Sequence, residues 1–243
     1  MTLVTAYDYP TGRLLDEAGV DIVLVGDSLG MVVLGFPDTT HVTLDHMLHH
    51  VEATARGVKN ALLVGDMPIH SYDTVEQAVQ SAKKLFLAGA DAVKLEGGAA
   101  QAGNIRAIVE AGIPVVGHIG LLPQKVLEEG GYKIKGKSSA EEEALVRDVE
   151  AVAEAGACAV VVEGVMPHAA RQVTVHSSIP TLGIGSGSHT CDGDVVVIHD
   201  LVGAFPWFIP AFVKPRADVA GSMTAAVKEW MEDCYTEPGS ISS

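Results

Sequence analysis

AGADAVKLE, residues 88–96, reads as one unit of a parallel α/β fold. Ala88-Gly89 marks a helix end, because glycine is favoured just past a helix C-terminus. A short apolar strand follows and stops on the ionisable side chain of Glu96. The same order recurs along the chain. IVLVGD follows Ala18-Gly19 and ends at Asp27, and LLVGD ends at Asp66. PVVGH follows Ala111-Gly112 and ends at His118, and AVVVE follows Ala155-Gly156 and ends at Glu163. Near-continuous apolar strands of this kind belong to a parallel sheet covered on both faces. Closing that sheet into a barrel would bring every strand tip to one mouth, where four carboxylates would share a small space.

Outward from these units, strands are expected at 2–6, 21–26, 61–65, 91–95, 114–118, 158–163, 180–184 and 195–199. Helices are expected at 10–18, 43–56 with Thr43 as its cap, from Thr74 to about 87, at 99–110, from Ser139 onward, and at 220–233. Thr74-Val-Glu-Gln77 and Ser139-Ala-Glu-Glu142 both have the spacing of a capping box. Eight strands alternating with helices point to a (β/α)8 TIM barrel, with an open doubly wound sheet as the alternative. The chain reads as a single barrel domain over 1–243, with a frayed polar tail at 235–243. The segment 120–138 is too long for a minimal connection and is expected to be functional or mobile.

Composition narrows the function. Aromatic residues are 5% of the chain, so the core has to be aliphatic. Against 16 basic side chains stand 31 acidic ones, a formal charge of −15. Such a surface repels phosphate backbones and anionic headgroups, which disfavours nucleic acid and membrane partners. Cys158, Cys191 and Cys234 form no CxxC pair, as expected of a protein in a reducing cytoplasm. No apolar run approaches the ~20 residues of a membrane helix.

Clustered carboxylates raise one another's pKa unless a cation compensates. With oxygen donors and no cysteine cluster, Mg²⁺, Mn²⁺ or Ca²⁺ suits Asp27, Asp66, Glu96 and Glu163 better than zinc. Lys94 lies two residues before Glu96, on the same strand face. It would bind an anionic substrate group, form a Schiff base, or pair structurally with an acid. Ser28 could offer its hydroxyl or backbone N–H to a carboxylate. His118, at a strand end, reads first as a structural histidine. His41, His46, His49 and His50 lack an HExxH pattern and read as a solvated helix face. GIGSG at 183–187 is a weak phosphate-loop match.

These residues, with TAYDYP (5–10), VGDSLGMVVLG (25–35), GDMP and SY (65–72), AVKLEGG (92–98), GHIGLLPQ (117–124), GGYKIKGK (130–137), VVEGV (161–165) and GIGSG with CDGD (183–194), resemble the ketopantoate (3-methyl-2-oxobutanoate) hydroxymethyltransferase family. The resemblance implies a (β/α)8 barrel that transfers a hydroxymethyl group from 5,10-methylenetetrahydrofolate to a 2-oxo acid, for pantothenate and coenzyme A biosynthesis. It implies Mg²⁺ on Asp27 and Asp66, with Glu96 on or just outside the metal. Asp27, Ser28, Asp66 and Lys94 would contact the substrate, Glu163 would be the base, and His118 a supporting residue. It further implies a homo-oligomer, commonly a decamer. Leu122, Lys135-Gly136-Lys137 and Asp194 depart from the family's usual Thr, Gln-Gly-Arg and Gln. The family's covering helix before the first strand is expected to be missing, because the strand pattern begins at residue 2. The competing readings are a phosphoenolpyruvate-mutase or isocitrate-lyase type of C–C lyase, and a non-catalytic paralogue that binds the 2-oxo acid.

Overall fold

The computed structural model describes residues 1–236. It divides into two compact units, Met1–Val197 and a second beginning at Ile198. The first unit holds eight parallel strands closed into a barrel in sequence order. They are β1 (Thr2–Thr5), β2 (Ile22–Val25), β3 (Leu62–Asp66), β4 (Ala92–Lys94), β5 (Val115–Gly120), β6 (Ala159–Glu163), β7 (Thr181–Ile184) and β8 (Gly193–Val196). Closure is made by β1 on β8, with Leu3 opposite Val195. The helices of this unit are α1 (Tyr9–Ala18), α2 (Leu29–Val32), α3 (Leu44–Ala55), α4 (Val75–Leu87), α5 (Ala102–Glu110), α6 (Val126–Glu129), α7 (Ser139–Glu154) and α8 (Pro167–His176). The second unit carries α9 (Ile198–Leu201) and α10 (Val219–Thr236).

Leu3, Ile22, Leu24, Val64, Ala92, Val116, Ala159, Val161 and Leu182 form one buried cluster. They are alternate strand positions, as filling a barrel interior by layers requires. Each of the Val, Leu and Ile side chains among them contributes about 1.5–3 kcal/mol by its burial. The same alternation, carried two residues further, aims Asp66, Lys94, His118 and Glu163 at the mouth.

The Ala-Gly steps do what their sequence implies: Gly19, Gly89, Gly112 and Gly156 all have positive φ, between 81° and 111°. Thr43 caps α3 by accepting from His46 N at 3.2 Å, and His46 Nδ1 accepts from Thr43 N in return. Thr74 caps α4, but the Gln77 side chain binds Asp73 N and His70 O instead of closing the box. The cap of α7 is Ser138, not Ser139: Ser138 is extended and its hydroxyl accepts from Glu141 N.

The last strand lies two residues before its expected place at 195–199. Asp194 N donates to Met1 O, and a Cβ on Gly193 would sit 2.4 Å from that oxygen. Only glycine allows the first strand to approach this closely, so pairing begins there, and Ile198 already opens α9. The helix expected at 99–110 begins as a 3-10 turn, Ala99–Gln101. Of the tail expected at 235–243, residues 235 and 236 continue α10, and 237–243 lie outside the described residues.

Candidate active site

Five of the seven candidate side chains lie at the barrel mouth with almost no exposure: Asp27 5%, Asp66 1%, Lys94 4%, Glu96 4% and His118 1%. The strands deliver them directly or within two residues. Asp66 ends β3 and stands opposite Lys94 of β4. Glu163 ends β6 opposite Gly120. Asp27 and Glu96 lie just beyond their strands, where the chain turns.

Lys94 Nζ donates to both oxygens of Asp66 at 2.7 Å. Burial works against its charge, but Asp66, Glu96 and Asp27 together outweigh burial and hold the ammonium above its ordinary range. A lysine clasped this way has no free lone pair, which disfavours the Schiff-base reading. Burial, and then the charge of Asp66, push the Asp27 carboxyl up to about 7, against the pull of Lys94 and Gln124. Its backbone N donates to Asp66 Oδ2 at 3.2 Å. Burial also raises Glu96 well above the usual carboxylate range, with Lys94 opposing and Asp27 adding to the rise.

His118 lies between two acids. Nδ1 is 3.5 Å from Glu96 Oε1, and Nε2 is 3.3 Å from Glu163 Oε2. Both are ion-pair distances without hydrogen-bond geometry, and among the described residues neither ring nitrogen nor Glu96 Oε1 has a hydrogen-bond partner. Burial, then Lys94, lower the His118 pKa against the pull of Glu163. A neutral imidazole wedged between carboxylates fits a supporting role. Glu163 differs from the other acids, with a side chain 24% exposed. Ser28 Oγ lies 2.9 Å from Tyr7 OH, and His50 Nδ1 lies 2.6 Å from Tyr7 O.

Two residues not singled out from the sequence complete the mouth. Gln124, 3% exposed, donates from Nε2 to Asp27 Oδ2 at 2.8 Å and to Met67 O at 3.0 Å. Its backbone N donates to Glu96 Oε2 at 3.1 Å, and Tyr72 OH donates to its Oε1 at 2.5 Å. Each lies inside a quoted motif, GHIGLLPQ or SY, but neither falls on a strand tip, so periodicity gave no sign of it.

The remaining sequence features have structural work. His41 pairs with Asp38, His46 closes the α3 cap, and His50 reaches Tyr7. Ser186 of the GIGSG segment donates to Val162 O and accepts from Val165 N, which spends its hydroxyl on loop geometry. Segment 120–138 is pinned beside β6: Lys135 N donates to Gly164 O, and Met166 N to Lys135 O, both at 2.9 Å.

Among the described residues no three His, Cys, Asp or Glu side chains form a ready cation cage. The donor set still suits a hard divalent cation. Burial and the charge of Asp66 raise the cost of ionising Asp27, and among the described residues Glu96 Oε1 is a buried acceptor without a hydrogen-bond partner. Two carboxylates with ligand oxygens and water are the usual Mg²⁺ arrangement.

Comparison with known proteins agrees along the chain. The family model described as Ketopantoate hydroxymethyltransferase matches residues 1–238. The 3-methyl-2-oxobutanoate hydroxymethyltransferase of Ignicoccus hospitalis is 50% identical over 234 residues, covering 96% of this chain and 88% of that one. The protein of that name from Moorella thermoacetica is 50% identical over 235 residues, covering 96% and 87%. Among solved structures, phosphoenolpyruvate phosphomutase from Streptomyces platensis subsp. rosaceus superposes with a TM-score of 0.69 at 18% identity, over 95% of this chain and 83% of that one. Phosphonopyruvate hydrolase, in complex with oxalate and Mg²⁺, gives 0.64 at 14% identity, over 98% and 94%. At that identity the likeness is one of fold.

Proposed function

Since the chain belongs to the ketopantoate hydroxymethyltransferase family, we propose that it joins a one-carbon unit from 5,10-methylenetetrahydrofolate to C3 of 3-methyl-2-oxobutanoate, with Mg²⁺ held by Asp27 and Asp66. Bound there, Mg²⁺ would act as a Lewis acid toward the 2-oxo group and ease loss of the C3 proton. Glu96, buried beside Asp27 and Asp66, would help hold the metal directly or through water. The Lys94 ammonium holds both oxygens of Asp66 and offsets the negative charge that substrate brings into the buried mouth. Ser28 presents its hydroxyl and backbone N–H to the substrate carboxylate.

Glu163 takes the C3 proton. Water adds to the methylene carbon of the donor, both of its C–N bonds break with a proton going to each nitrogen, and tetrahydrofolate and formaldehyde result. The electron pair left at C3 adds to the formaldehyde carbon, and the new alkoxide takes back the proton held by Glu163 to give 2-dehydropantoate. The supporting observation is the contrast among the acids. Asp27, Asp66 and Glu96 are buried around Lys94, whereas Glu163 keeps partial solvent access beside a neutral histidine. A base must gain and lose a proton each turnover, and that position suits it. His118, 3.3 Å from Glu163 Oε2, lines the base without adding charge.

Deuterium exchange at C3 of 3-methyl-2-oxobutanoate in D₂O, followed by proton NMR with and without Mg²⁺, tests the first half-reaction separately from folate. Exchange should require Mg²⁺. Glu163→Gln should lower it by about 10²–10⁴-fold while Mg²⁺ binding survives. Continued exchange in that variant would show that another group is the base.

A homo-oligomer is part of the same proposal. Met223, Val227, Trp230 and Met231 follow helical spacing along α10 and are 41–66% exposed, an apolar stripe of the kind that subunit contacts cover. Light scattering on the purified protein would distinguish a decamer from a monomer. No helix among the described residues is long and apolar enough to cross a membrane.

A further inference from the structure

Gln124 binds groups from the loops after β2, β3 and β4 while lying in the turn Pro123–Lys125 after β5. The chemistry above makes no use of it. Its amide stands between two kinds of partner. On the Nε2 side are two acceptors, Asp27 Oδ2 at 2.8 Å and Met67 O at 3.0 Å. On the Oε1 side is one donor, the Tyr72 hydroxyl at 2.5 Å. Only one of the two amide orientations satisfies this arrangement. Turned over, the amide oxygen would face a carboxylate and a carbonyl, and the NH₂ would face the phenol hydrogen. Each mismatch would leave a buried polar atom without a partner, so the turned-over amide is strongly disfavoured.

Tyr72 is itself fixed. It is 9% exposed, and Asn104 Nδ2 donates to its carbonyl at 2.8 Å. The Gln124 backbone is engaged as well, through its N–H to Glu96 Oε2 at 3.1 Å. One residue thus grips one oxygen on each of two acids that come from different strands, and a second residue decides which way the grip faces.

We infer that Gln124, with its amide orientation set by Tyr72, is a positioning residue for the reaction: it fixes the direction in which Asp27 and Glu96 present their other oxygens to metal and substrate. Gln124 touches no reacting atom in this scheme and acts through the two carboxylates. The inference rests on the reading of Asp27 and Glu96 given under Proposed function.

The test uses the full chain as Tyr72→Phe, Gln124→Met and the double variant. Three quantities are read: Mn²⁺ affinity by calorimetry without substrate, kcat and KM for C3 deuterium exchange, and thermal unfolding. Groups that orient metal-ligating carboxylates typically matter by about 10–100-fold. Gln124→Met should therefore weaken Mn²⁺ binding and lower exchange kcat by about that factor. Tyr72→Phe should cost less, about tenfold or under, because the amide is freed and not removed. The double variant should match Gln124→Met within about twofold, since Tyr72 acts only through Gln124. A merely structural pair would change melting temperature and leave kcat and Mn²⁺ affinity alone.

Mn²⁺ affinity and kcat within about twofold of the parent in Gln124→Met overturn the inference, as do losses that multiply in the double variant. If Gln124→Met does not fold, Tyr72→Phe decides, because it removes one oxygen and keeps the ring; unchanged kcat and Mn²⁺ affinity there overturn it equally. A parent that exchanges no deuterium refutes the proposed function instead, and the Mn²⁺ affinities then judge the positioning alone.

Discussion

Replacing Asp27 by Asn should make the metal-free protein more stable and the working enzyme inert. In the fold, burial and Asp66 lift the Asp27 carboxyl from 3.8 to about 7. The native state therefore holds this proton more tightly than the unfolded chain does. The contribution of this group to stability falls as pH rises from about 4 to about 7 and is constant on either side of that window. At about 1.4 kcal/mol per tenfold change in proton affinity, the ionised carboxylate costs up to about 4 kcal/mol above pH 7. Asparagine removes that cost and keeps an oxygen to accept from Gln124 Nε2. Because Glu96 shares this burial and feels the Asp27 charge, the cost is not carried by Asp27 alone, and about 2–4 kcal/mol is the working figure. For a chain of this size that is roughly 5–15 °C in melting temperature. Calorimetric scans in EDTA at pH 8 and pH 4 should show the gain at pH 8 and little of it at pH 4. Added Mg²⁺ should raise the melting temperature of the parent and leave the variant unmoved. A variant that melts at or below the parent at pH 8, or gains equally at both pH values, would refute the assignment of this carboxylate as a strained, cation-awaiting group.

Lys94→Met should destabilise by about 3–5 kcal/mol in urea titrations, because it leaves the acids around Lys94 without their buried cation. A change below about 1 kcal/mol would mean that solvent already screens the cluster. Asp16 accepts from the backbone N of Asn60 and of Ala61 at 2.8 Å, and its carboxyl is held down at about 2. That contribution is present above about pH 4 and lost as pH falls through 2, so Asp16→Asn should lower the melting temperature at pH 7 and flatten the acid limb between those values. Thr43→Ala removes the α3 cap and should cost about 1 kcal/mol in urea titrations, with C3 exchange unchanged.

Several features were legible because they obey local rules. A glycine at each helix end is required by the backbone alone, and the four Ala-Gly steps all proved to be left-handed turns. Thr43 capped its helix as read, because a cap needs only the next three residues. Where the choice depended on a distant partner, reading by residue pattern slipped. The last strand moved to Gly193 because Met1, at the far end of the chain, comes within reach of its backbone. Gln124 and Tyr72 stayed invisible because their meaning lies in bonds to residues up to 97 positions away.

Residue pattern alone favoured a barrel over an open sheet and set the inward aim of Asp66, Lys94, His118 and Glu163, since alternation along a strand is a property of neighbouring residues. Asp27 escaped that rule. Ile22 and Leu24 line the interior, so strict alternation would aim Asp27 outward, yet β2 ends at Val25 and the turn buries Asp27 against Asp66. Only the closed structure decided how the acids differ. Proton affinity depends on burial and on charges brought close through space, and no run of neighbouring residues carries that information. Closure put Lys94 between the oxygens of Asp66, left Asp27 and Glu96 holding costly charge under Gln124, and kept Glu163 at the edge of solvent.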